Sequence, residues 1–492
     1  MSFPFATWFF KNKIFLVLIL AVYFFIIWQS PVFLTGDEVF YYQQALHIQN
    51  GEWRFFENTQ PLLLPLILAI TLTKNIFIMR AIMALIMCAA INFLYDFAKE
   101  RYNERTAFFT VLFISTNLFT LSLATSIYTE ALSMLFCILS LISYFKIKEH
   151  GKMTEFIRLG LWLGLGIQSR VTGLVMMGSL TLMPIVERAI IYFKEDLGWL
   201  INRKFLLSMA ISLAIFIPYL FLGGSKFLLE KTGWGLNHHF DQYFERPIHF
   251  FQIINPAFFI FFIIGLFSFS KSKNAWLVAL ILLFLIPTLG LNHLIFKRHF
   301  YPIIFFSSMI AGQGVDWFVS LFKKKIFITL FCSLLLAASA ISVFNFAKKP
   351  FYFYRQIFFT EAPEGCLLLD KNWIFIANKK RKTVNLPVFD QPGSQKINEF
   401  KKGTYLNERF IDKSYRWLFV SYLSSYGHLY IDDKLAFKDF SISEANLRSY
   451  FLAPGFHKFV FDVWAETNVG GLGQVLFCED DVLSNHEAMT IK

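Results

Sequence analysis

Apolar runs recur along the first 346 residues of the chain, and they constrain its fold more than any other feature. The 492 residues are 56% hydrophobic and only 16% charged, a composition typical of polytopic membrane proteins. A helix needs about 20 apolar residues to cross a bilayer, and most runs approach that length. The sequence therefore predicts an all-α polytopic membrane protein with about eleven transmembrane helices. The runs lie near residues 12–30, 77–95, 106–124, 130–146, 157–169, 172–190, 205–222, 256–270, 275–291, 300–320 and 326–346.

One further apolar run, Pro61–Thr73, has about 13 residues and is more typical of a juxtamembrane or re-entrant helix. The positive-inside rule decides between the two interpretations of this run. If it stays on the surface, the cytoplasmic loops hold about twice as many lysines and arginines as the short outer loops. If it spans, every later loop changes side and the asymmetry largely vanishes. We therefore expect a cytoplasmic N-terminus and an extracytoplasmic C-terminus.

Two adjacent carboxylates, Asp37 and Glu38, follow the first span. A charged pair at a membrane edge is costly to hold, so it indicates a specific role. The structural interpretation is that the pair lies at the start of a helix predicted from Glu38 to Gln49, with Gly51 as its C-cap. The functional interpretation is that a carboxylate here acts as a base on a substrate that meets a lipid carrier.

Further charged residues fall on the same outer side in this topology. Glu130 stands at the outer end of the fourth span, where an acid also suits a helix start. Arg170 interrupts a Gly-rich apolar stretch, where an arginine also reaches the interface by snorkelling. Lys297 and Arg298 are adjacent on the outer side, against the topological bias for basic residues, and this favours an anionic partner.

Metal and nucleic-acid binding have weaker support in the sequence. His238 and His239, with Asp241 nearby, are the candidate metal ligands, but adjacent histidines in a polar loop usually bind none. We therefore assign no metal site and no cofactor, and we leave a role for a divalent metal open. The net charge of +12 resides mostly in short loops between apolar runs, so it indicates topology and no nucleic-acid partner.

A second domain begins where the hydropathy falls, which divides the chain into residues 1–346 and 347–492. Short alternating segments separated by turn signals, such as Asp432-Asp433 and Pro454-Gly455, predict a C-terminal β-rich soluble domain with a small β-sandwich. The segments from Gly427 to His457 are similar to a carbohydrate-binding jelly roll of the PA14 kind. The domain either binds glycan or covers the active site. In an oxidising compartment Cys366 and Cys478 could pair, although sequence alone does not establish their geometry.

Taken in order, these motifs resemble the GT-C superfamily of membrane glycosyltransferases, in particular its protein O-mannosyltransferase and lipid A aminoarabinose transferase branch. The likeness covers roughly residues 10–345. It rests on the acid pair after the first span, Gln60-Pro61-Leu62, Arg80, Glu130 and the late Arg298-His299-Phe300-Tyr301-Pro302. Two departures leave the subfamily open: Glu130 stands where Asp is commoner, and Gln60-Pro61 stands where two prolines are often found.

The resemblance implies a GT-C fold with juxtamembrane helices and a sugar donor carried on a polyprenyl phosphate. It implies transfer to an acceptor hydroxyl on the extracytoplasmic face, with inversion at the sugar C1 and Asp37 as the base. The cations would stabilise the leaving phosphate. The resemblance also implies an integral protein of a bacterial or archaeal cytoplasmic (inner) membrane. The remaining site residues fall in two groups: Glu38, Glu130 and Tyr41 as acceptor or loop support, and Lys297, Arg298, Arg170 and Arg80 as donor-phosphate ligands.

Two other functions remain as alternatives. A transporter or flippase of polyprenyl-linked glycans would place polar groups near the middle of the bilayer, whereas the predicted spans here are nearly free of charge. A non-catalytic membrane scaffold would bind glycan through the C-terminal domain. The sequence distinguishes neither a hexose from a pentose nor a glycan, lipid or protein acceptor.

Overall fold

The computed structural model describes most of the chain, with gaps in several loops. The described residues are 13–29, 33–35, 38–51, 62–73, 75–170, 172–191, 202–219, 256–267, 271–290, 300–322, 324–348, 357–359, 365–369, 374–376, 402–423, 426–439, 445–464 and 471–479.

Over the residues that the structure describes, the apolar runs predicted from the sequence are mainly helical, with one break at Asn117. Because these residues carry few polar side chains, a helix satisfies the backbone hydrogen bonds within the segment and leaves an apolar surface. The helices are α1 (Ile14–Gln29), α2 (Glu38–Gln49), α3 (Leu63–Ile70), α4 (Ile76–Arg101), α5 (Glu104–Thr116), α6 (Leu118–Ala124), α7 (Thr129–His150), α8 (Met153–Ser169), α9 (Thr172–Ile191), α10 (Arg203–Tyr219), α11 (Pro256–Phe267), α12 (Lys271–Gly290), α13 (Tyr301–Ser320) and α14 (Lys325–Lys348).

Three of these helices, α4, α7 and α13, are long and apolar enough to cross a membrane, and the bent pair α5–α6 makes a fourth candidate among the described residues. Five shorter apolar helices accompany them. The chain is therefore an integral membrane protein with several apolar helices, while the number of eleven spans stays a prediction. Helix α3 has eight residues and a length of about 12 Å, too short for a hydrocarbon core of about 30 Å.

The predicted span at residues 106–124 is not one helix, and this prediction is corrected. Helices α5 and α6 meet at Asn117 with a bend of 70°. Asn117 has extended backbone angles, and its side-chain oxygen accepts hydrogen bonds from the amides of Phe119 and Thr120. An asparagine amide that caps a new helix competes with continuation of the previous one. The break therefore follows from a single side chain that hydropathy does not detect.

Glycines allow the helices of the bundle to approach closely. A Cβ at Gly160 would lie 2.6 Å from the carbonyl oxygen of Ser208, and one at Gly164 would lie 2.8 Å from Ile215. The glycine backbone of α8 therefore packs directly against α10, as small residues permit in membranes. Two hydrogen bonds cross the same contact: Ser208 Oγ donates to the Phe156 carbonyl and Gln168 Nε2 to the Ile215 carbonyl, both at 2.7 Å.

The chain forms two compact units, residues 1–29 with 41–348, and residues 30–40 with 349–492. The second unit contains all the described strands. They are β1 (Phe33–Thr35), β2 (Ile357–Phe359), β3 (Cys366–Leu368), β4 (Ile374–Ile376), β5 (Lys402–Ile411), β6 (Tyr415–Leu423), β7 (Tyr426–Ile431), β8 (Lys434–Asp439), β9 (Ala445–Leu452), β10 (Gly455–Trp464) and β11 (Gly471–Cys478).

The C-terminal strands form a sandwich of two antiparallel sheets. One sheet has the order β5-β10-β7-β8, and the other has the order β3-β11-β6-β9 with β4 also paired to β11. Buried side chains from both sheets share one core, in which the rings of Phe459 and Phe477 lie 5.7 Å apart. This agrees with the alternating pattern of the sequence, since alternate residues of a strand face the same side.

Cys366 and Cys478 form a disulfide that closes a loop over a sequence separation of 112. The two cysteines pair at the ends of β3 and β11 in the same sheet. The sequence left this pairing open.

A separate antiparallel ladder joins β1 to β2. Thr35 lies opposite Ile357, Leu34 opposite Phe358 and Phe33 opposite Phe359. This ladder is why residues 30–40 form part of the second unit, whereas the sequence analysis assigned them to residues 1–346.

Candidate active site

Helices α7 and α8 form a hairpin that brings Glu130 and Arg170 together. The turn is at Gly151, whose φ of 60° lies in the left-handed region and whose amide donates to the Ile147 carbonyl. Glycine suits this position because a side chain is disfavoured there. Glu130 is the second residue of α7, and Arg170 directly follows α8, so both lie at the open end of the hairpin.

The two side chains form a buried ion pair. Arg170 Nη1 donates to Glu130 Oε1, and the side chains are only 16% and 3% exposed. The carboxylate also benefits from its position in the first turn of α7, where the helix dipole is positive. The snorkelling interpretation of Arg170 is thereby corrected, because its guanidinium turns to an internal acid.

A tight turn holds the backbone of Arg170. Its amide donates to the Gly166 carbonyl at 3.0 Å, and its own carbonyl accepts from the Gly173 amide at 2.8 Å. A Cβ at Gly173 would lie 2.5 Å from the backbone of Gly166 and Ile167. Glycine at position 173 is therefore required for the close approach of α9 to α8 that fixes the arginine.

Tyr41 extends the site from helix α2. Its hydroxyl lies 3.5 Å from the hydroxyl of Thr129, and both groups are buried. Thr129 directly precedes Glu130, so α2 reaches the start of α7 beside the ion pair. The sequence analysis did not single out Thr129, although it stands next to the predicted acid.

Glu38 and Arg80 are both fully buried. Burial of an ionised side chain is costly unless it meets polar or charged partners. A buried charge at either position therefore indicates a specific role for that side chain. Glu38 is the first residue of α2, and Arg80 lies in the second turn of α4.

Tyr301 is a further buried polar residue beside this region. Its hydroxyl lies 3.5 Å from Met87 Sδ, and its ring packs 6.0 Å from the ring of Phe119. It begins α13 directly after the predicted basic cluster, and the motif analysis named it without assigning it a role.

The other predicted site residues, Asp37, Lys297, Arg298, His238 and His239, lie outside the described residues. Within the described part of the chain, no group of three or more histidine, cysteine or carboxylate side chains is placed to hold a metal ion.

Residues 59–221 match the profile of the dolichyl-phosphate-mannose-protein mannosyltransferase family. The matched segment contains Arg80, Glu130 and Arg170. The match confirms the predicted resemblance: over these residues the chain is similar to membrane glycosyltransferases of the GT-C superfamily. A search of curated proteins gave no significant match.

Among solved structures, the chain is similar to ArnT from Cupriavidus metallidurans in the apo state, with 14% identity and a TM-score of 0.45. That similarity covers 62% of this chain and 60% of ArnT. It is also similar to ArnT bound to undecaprenyl phosphate, with 15% identity, a TM-score of 0.46 and the same coverage. A third similar structure is the oligosaccharyltransferase AglB from Archaeoglobus fulgidus with an inhibitory peptide and a dolichol-phosphate, with 14% identity, a TM-score of 0.45 and coverage of 70% of this chain and 56% of AglB.

Proposed function

We propose that the chain is an integral membrane glycosyltransferase that moves a sugar from a polyprenyl-phosphate donor to an acceptor hydroxyl on the extracytoplasmic face. The observation that carries this proposal is the buried Glu130–Arg170 pair, which lies inside the segment matched to the family. The description of that family names a dolichyl-phosphate-linked mannose as the donor, and a polyprenyl phosphate belongs to the same chemical class.

The acceptor side of the reaction needs a base, because a hydroxyl does not ionise near neutral pH. Asp37 is the proposed base by its position in the family pattern, and it would remove the proton as the oxygen attacks the sugar C1. Attack opposite the leaving phosphate inverts the anomeric centre. Glu38 and Tyr41 would hold the acceptor or the loop, and the burial of both supports a fixed position.

The donor side needs positive charge, because the leaving phosphate develops negative charge as the C1–O bond breaks. Arg170 offers a guanidinium with five N–H donors, and one nitrogen is oriented by Glu130. We assign its other donors, together with Arg80, Lys297 and Arg298, to the phosphate. In this proposal Glu130 is the residue that positions Arg170.

The proposed sidedness has support from two features of the chain. The disulfide Cys366–Cys478 is of a kind that persists in oxidising compartments, which favours an extracytoplasmic second unit. Helix α7 separates two groups of charges by about 30 Å, with Glu149 bound to Arg101 at one end and Glu130 at the other. The positive-inside rule assigns the end with Arg101 to the cytoplasm.

The test is transfer by the purified full-length chain, reconstituted in liposomes, with a panel of polyprenyl-phosphate sugars and hydroxyl acceptors. We expect one donor to yield an inverted glycoside, and Asp37→Asn to lower turnover by at least 10³-fold. Glu100→Gln is the control, since Glu100 is an exposed acid at the C-terminal end of α4. Absence of transfer from every donor by the wild-type chain would refute the proposal, and normal turnover by Asp37→Asn would refute the base.

A further inference from the structure

Gln44 is a buried polar residue of α2 to which the proposed reaction gives no role. Its side chain is only 2% exposed, and among the residues that the structure describes its carbonyl oxygen Oε1 has no hydrogen-bond partner. A buried amide oxygen without a partner is costly, because it loses its hydrogen bonds to water and gains none in return. Such a group therefore indicates that a ligand supplies the missing partner.

Tyr41 shows which way the face of α2 that carries Gln44 is directed. Tyr41, Gln44 and Ile48 follow the spacing of neighbours on one side of a helix, so Gln44 lies between the other two. All three belong to the helical unit of the chain. The hydroxyl of Tyr41 lies 3.5 Å from that of Thr129, at the start of α7. One end of this face therefore contacts the residue that precedes Glu130.

The other end of the same face contacts the helices that flank Arg170. Ile48 packs against a small cluster of buried side chains that includes Ile167 of α8, and Leu174 of α9 packs against the same cluster. Arg170 lies in the turn between these two helices. Gln44 is four residues before Ile48, which is about 6 Å along the axis of α2. The helix therefore puts its amide between the start of α7 and the turn that carries the arginine.

An amide oxygen in this place suits a hydroxyl group. The oxygen only accepts hydrogen bonds, so it does not bind a phosphate, whereas a hydroxyl donates one. The sugar of the proposed donor is bonded directly to the phosphate that we assign to Arg170. A sugar hydroxyl is therefore the part of the donor whose chemistry matches Gln44.

We propose that Gln44 is a specificity-determining residue whose carbonyl oxygen accepts a hydrogen bond from one hydroxyl of the donor sugar. This inference rests on the proposed function and deepens it, because it makes the substrate a sugar with a hydroxyl at one fixed position. A sugar that lacks this hydroxyl leaves the buried oxygen unpaired. A site built to pair a hydroxyl discriminates strongly against such an analogue.

Donor analogues that each lack one hydroxyl test this role in the full-length chain. The probes are dolichyl-phosphate mannose, chosen from the family description, and its 2-, 3-, 4- and 6-deoxy analogues. If the donor panel selects another sugar, the same series is made from that sugar. We expect the wild type to lose about tenfold or more in kcat/KM with the analogue that lacks the bound hydroxyl.

Gln44→Met replaces the amide by an apolar side chain of similar length. It should lose about tenfold or more in kcat/KM with the complete donor, and less than threefold further with that one analogue. Its discrimination against the other analogues should stay that of the wild type. If Gln44→Met discriminates against every analogue as the wild type does, the inference is overturned.

Gln49→Met is the matched control, because Gln49 is the same residue type on the same helix. Its amide nitrogen already donates to the carbonyls of Ala69 and Thr73, at 3.4 and 3.3 Å. We expect Gln49→Met to keep the wild-type discrimination against every analogue. Loss of discrimination in Gln49→Met equal to that in Gln44→Met would show a general effect of α2 and would overturn the assignment to Gln44.

A second variant decides the question if Gln44→Met does not fold. Gln44→Asn keeps an amide but shortens the side chain by one methylene, which withdraws the oxygen from the hydroxyl. It should show the same loss with the complete donor and the same lack of further loss with the one analogue. Wild-type discrimination by Gln44→Asn would overturn the inference.

Acceptor analogues that lack single hydroxyls distinguish a donor hydroxyl from an acceptor hydroxyl. If the Gln44 variants change the discrimination among acceptors and leave that among donors unchanged, the assignment to the donor sugar is overturned. Failure of the proposed function has a different signature, since the wild-type chain would then transfer no sugar from any donor.

Discussion

The site depends first on one pair of side chains, Glu130 and Arg170. Each would be costly alone in a low-dielectric interior, and together they offset most of that cost. The pair also explains why Arg170 does not extend to solvent, since its guanidinium has an internal acid within reach.

Removing one partner should therefore destabilise the protein strongly. We expect Arg170→Met to lower the free energy of unfolding by about 3–5 kcal/mol, because it removes the guanidinium that faces the buried carboxylate of Glu130. Lys99→Met is the control, because the Lys99–Glu104 pair has side chains that are 44% and 36% exposed, and it should cost at most about 1 kcal/mol. Denaturant unfolding in detergent measures both, and equal losses would contradict the argument.

Protonation of Asp432 should lower the stability of the sandwich. The amide of Lys458 donates to its carboxylate at 2.9 Å, and His457 lies 2.7 Å from the other oxygen. The hydrogen bond from the Lys458 backbone, with the help of His457, lowers the pKa of Asp432 below 3.8. The stabilisation is therefore complete above pH 3.8 and is lost as the pH falls through the lowered pKa.

Asp432→Asn should remove this dependence on pH. The thermal stability of the variant should fall below that of the wild type at pH 7, and the difference should shrink as the pH falls below about 3.8. Asp433→Asn is the control, since Asp433 is 78% exposed and pairs with the Lys458 side chain at the surface. Thermal unfolding of the full-length chain at several pH values measures the effect, and a constant difference across that range would exclude it.

At the scale of elements, the contact of α8 with α9 determines where Arg170 lies. Gly173→Ala would place a methyl group 2.5 Å from backbone atoms of Gly166 and Ile167. We expect a loss of about 1–3 kcal/mol in unfolding free energy together with reduced turnover, because α9 must move away from the arginine turn. No atom lies within 4 Å of a Cβ added at Gly178, so Gly178→Ala on the same helix should be neutral. Similar effects of both changes would show that the contact does not matter.

Hydropathy predicts these elements because it sums many weak contributions along a run. It therefore predicts the positions of the helices, and together with the positive-inside rule it predicts that Glu130 and Arg170 lie on one side of the membrane. It misses the break at Asn117, because one capping amide changes the backbone without changing the mean hydropathy. It also cannot show that Glu130 and Arg170 touch, since that contact depends on the turns at Gly151 and Gly173.

At the scale of the whole molecule, the ladder between β1 and β2 was beyond prediction from local sequence. Two three-residue strands more than three hundred residues apart carry no periodic signal, and only the folded chain identifies them as partners. The sandwich was predictable because its strands are long enough to alternate between core and surface.

The proposed topology can be tested with single cysteines at exposed positions. Ser414→Cys in the second unit should react with an impermeant thiol reagent added to intact cells, whereas Lys152→Cys between α7 and α8 should react only after permeabilisation. Of the native free cysteines, Cys88 and Cys137 are buried and should add little background, whereas Cys332 is partly exposed, so both variants are made in a Cys332→Ser background. Labelling of position 152 in intact cells would reverse the proposed orientation.

The ladder and the disulfide also set an order for biogenesis. Strand β1 leaves the ribosome early, yet β2 is synthesised only after the last helix, and Cys478 lies in the final strand. During translation β1 therefore lacks its partner strand until β2 has been made. A chain interrupted between β3 and β11 would contain all the described helices, but its sandwich would be incomplete and Cys366 would lack its disulfide partner. Pairing of β1 with β2 and closure of the disulfide would thus distinguish chains that contain β11 from shorter ones.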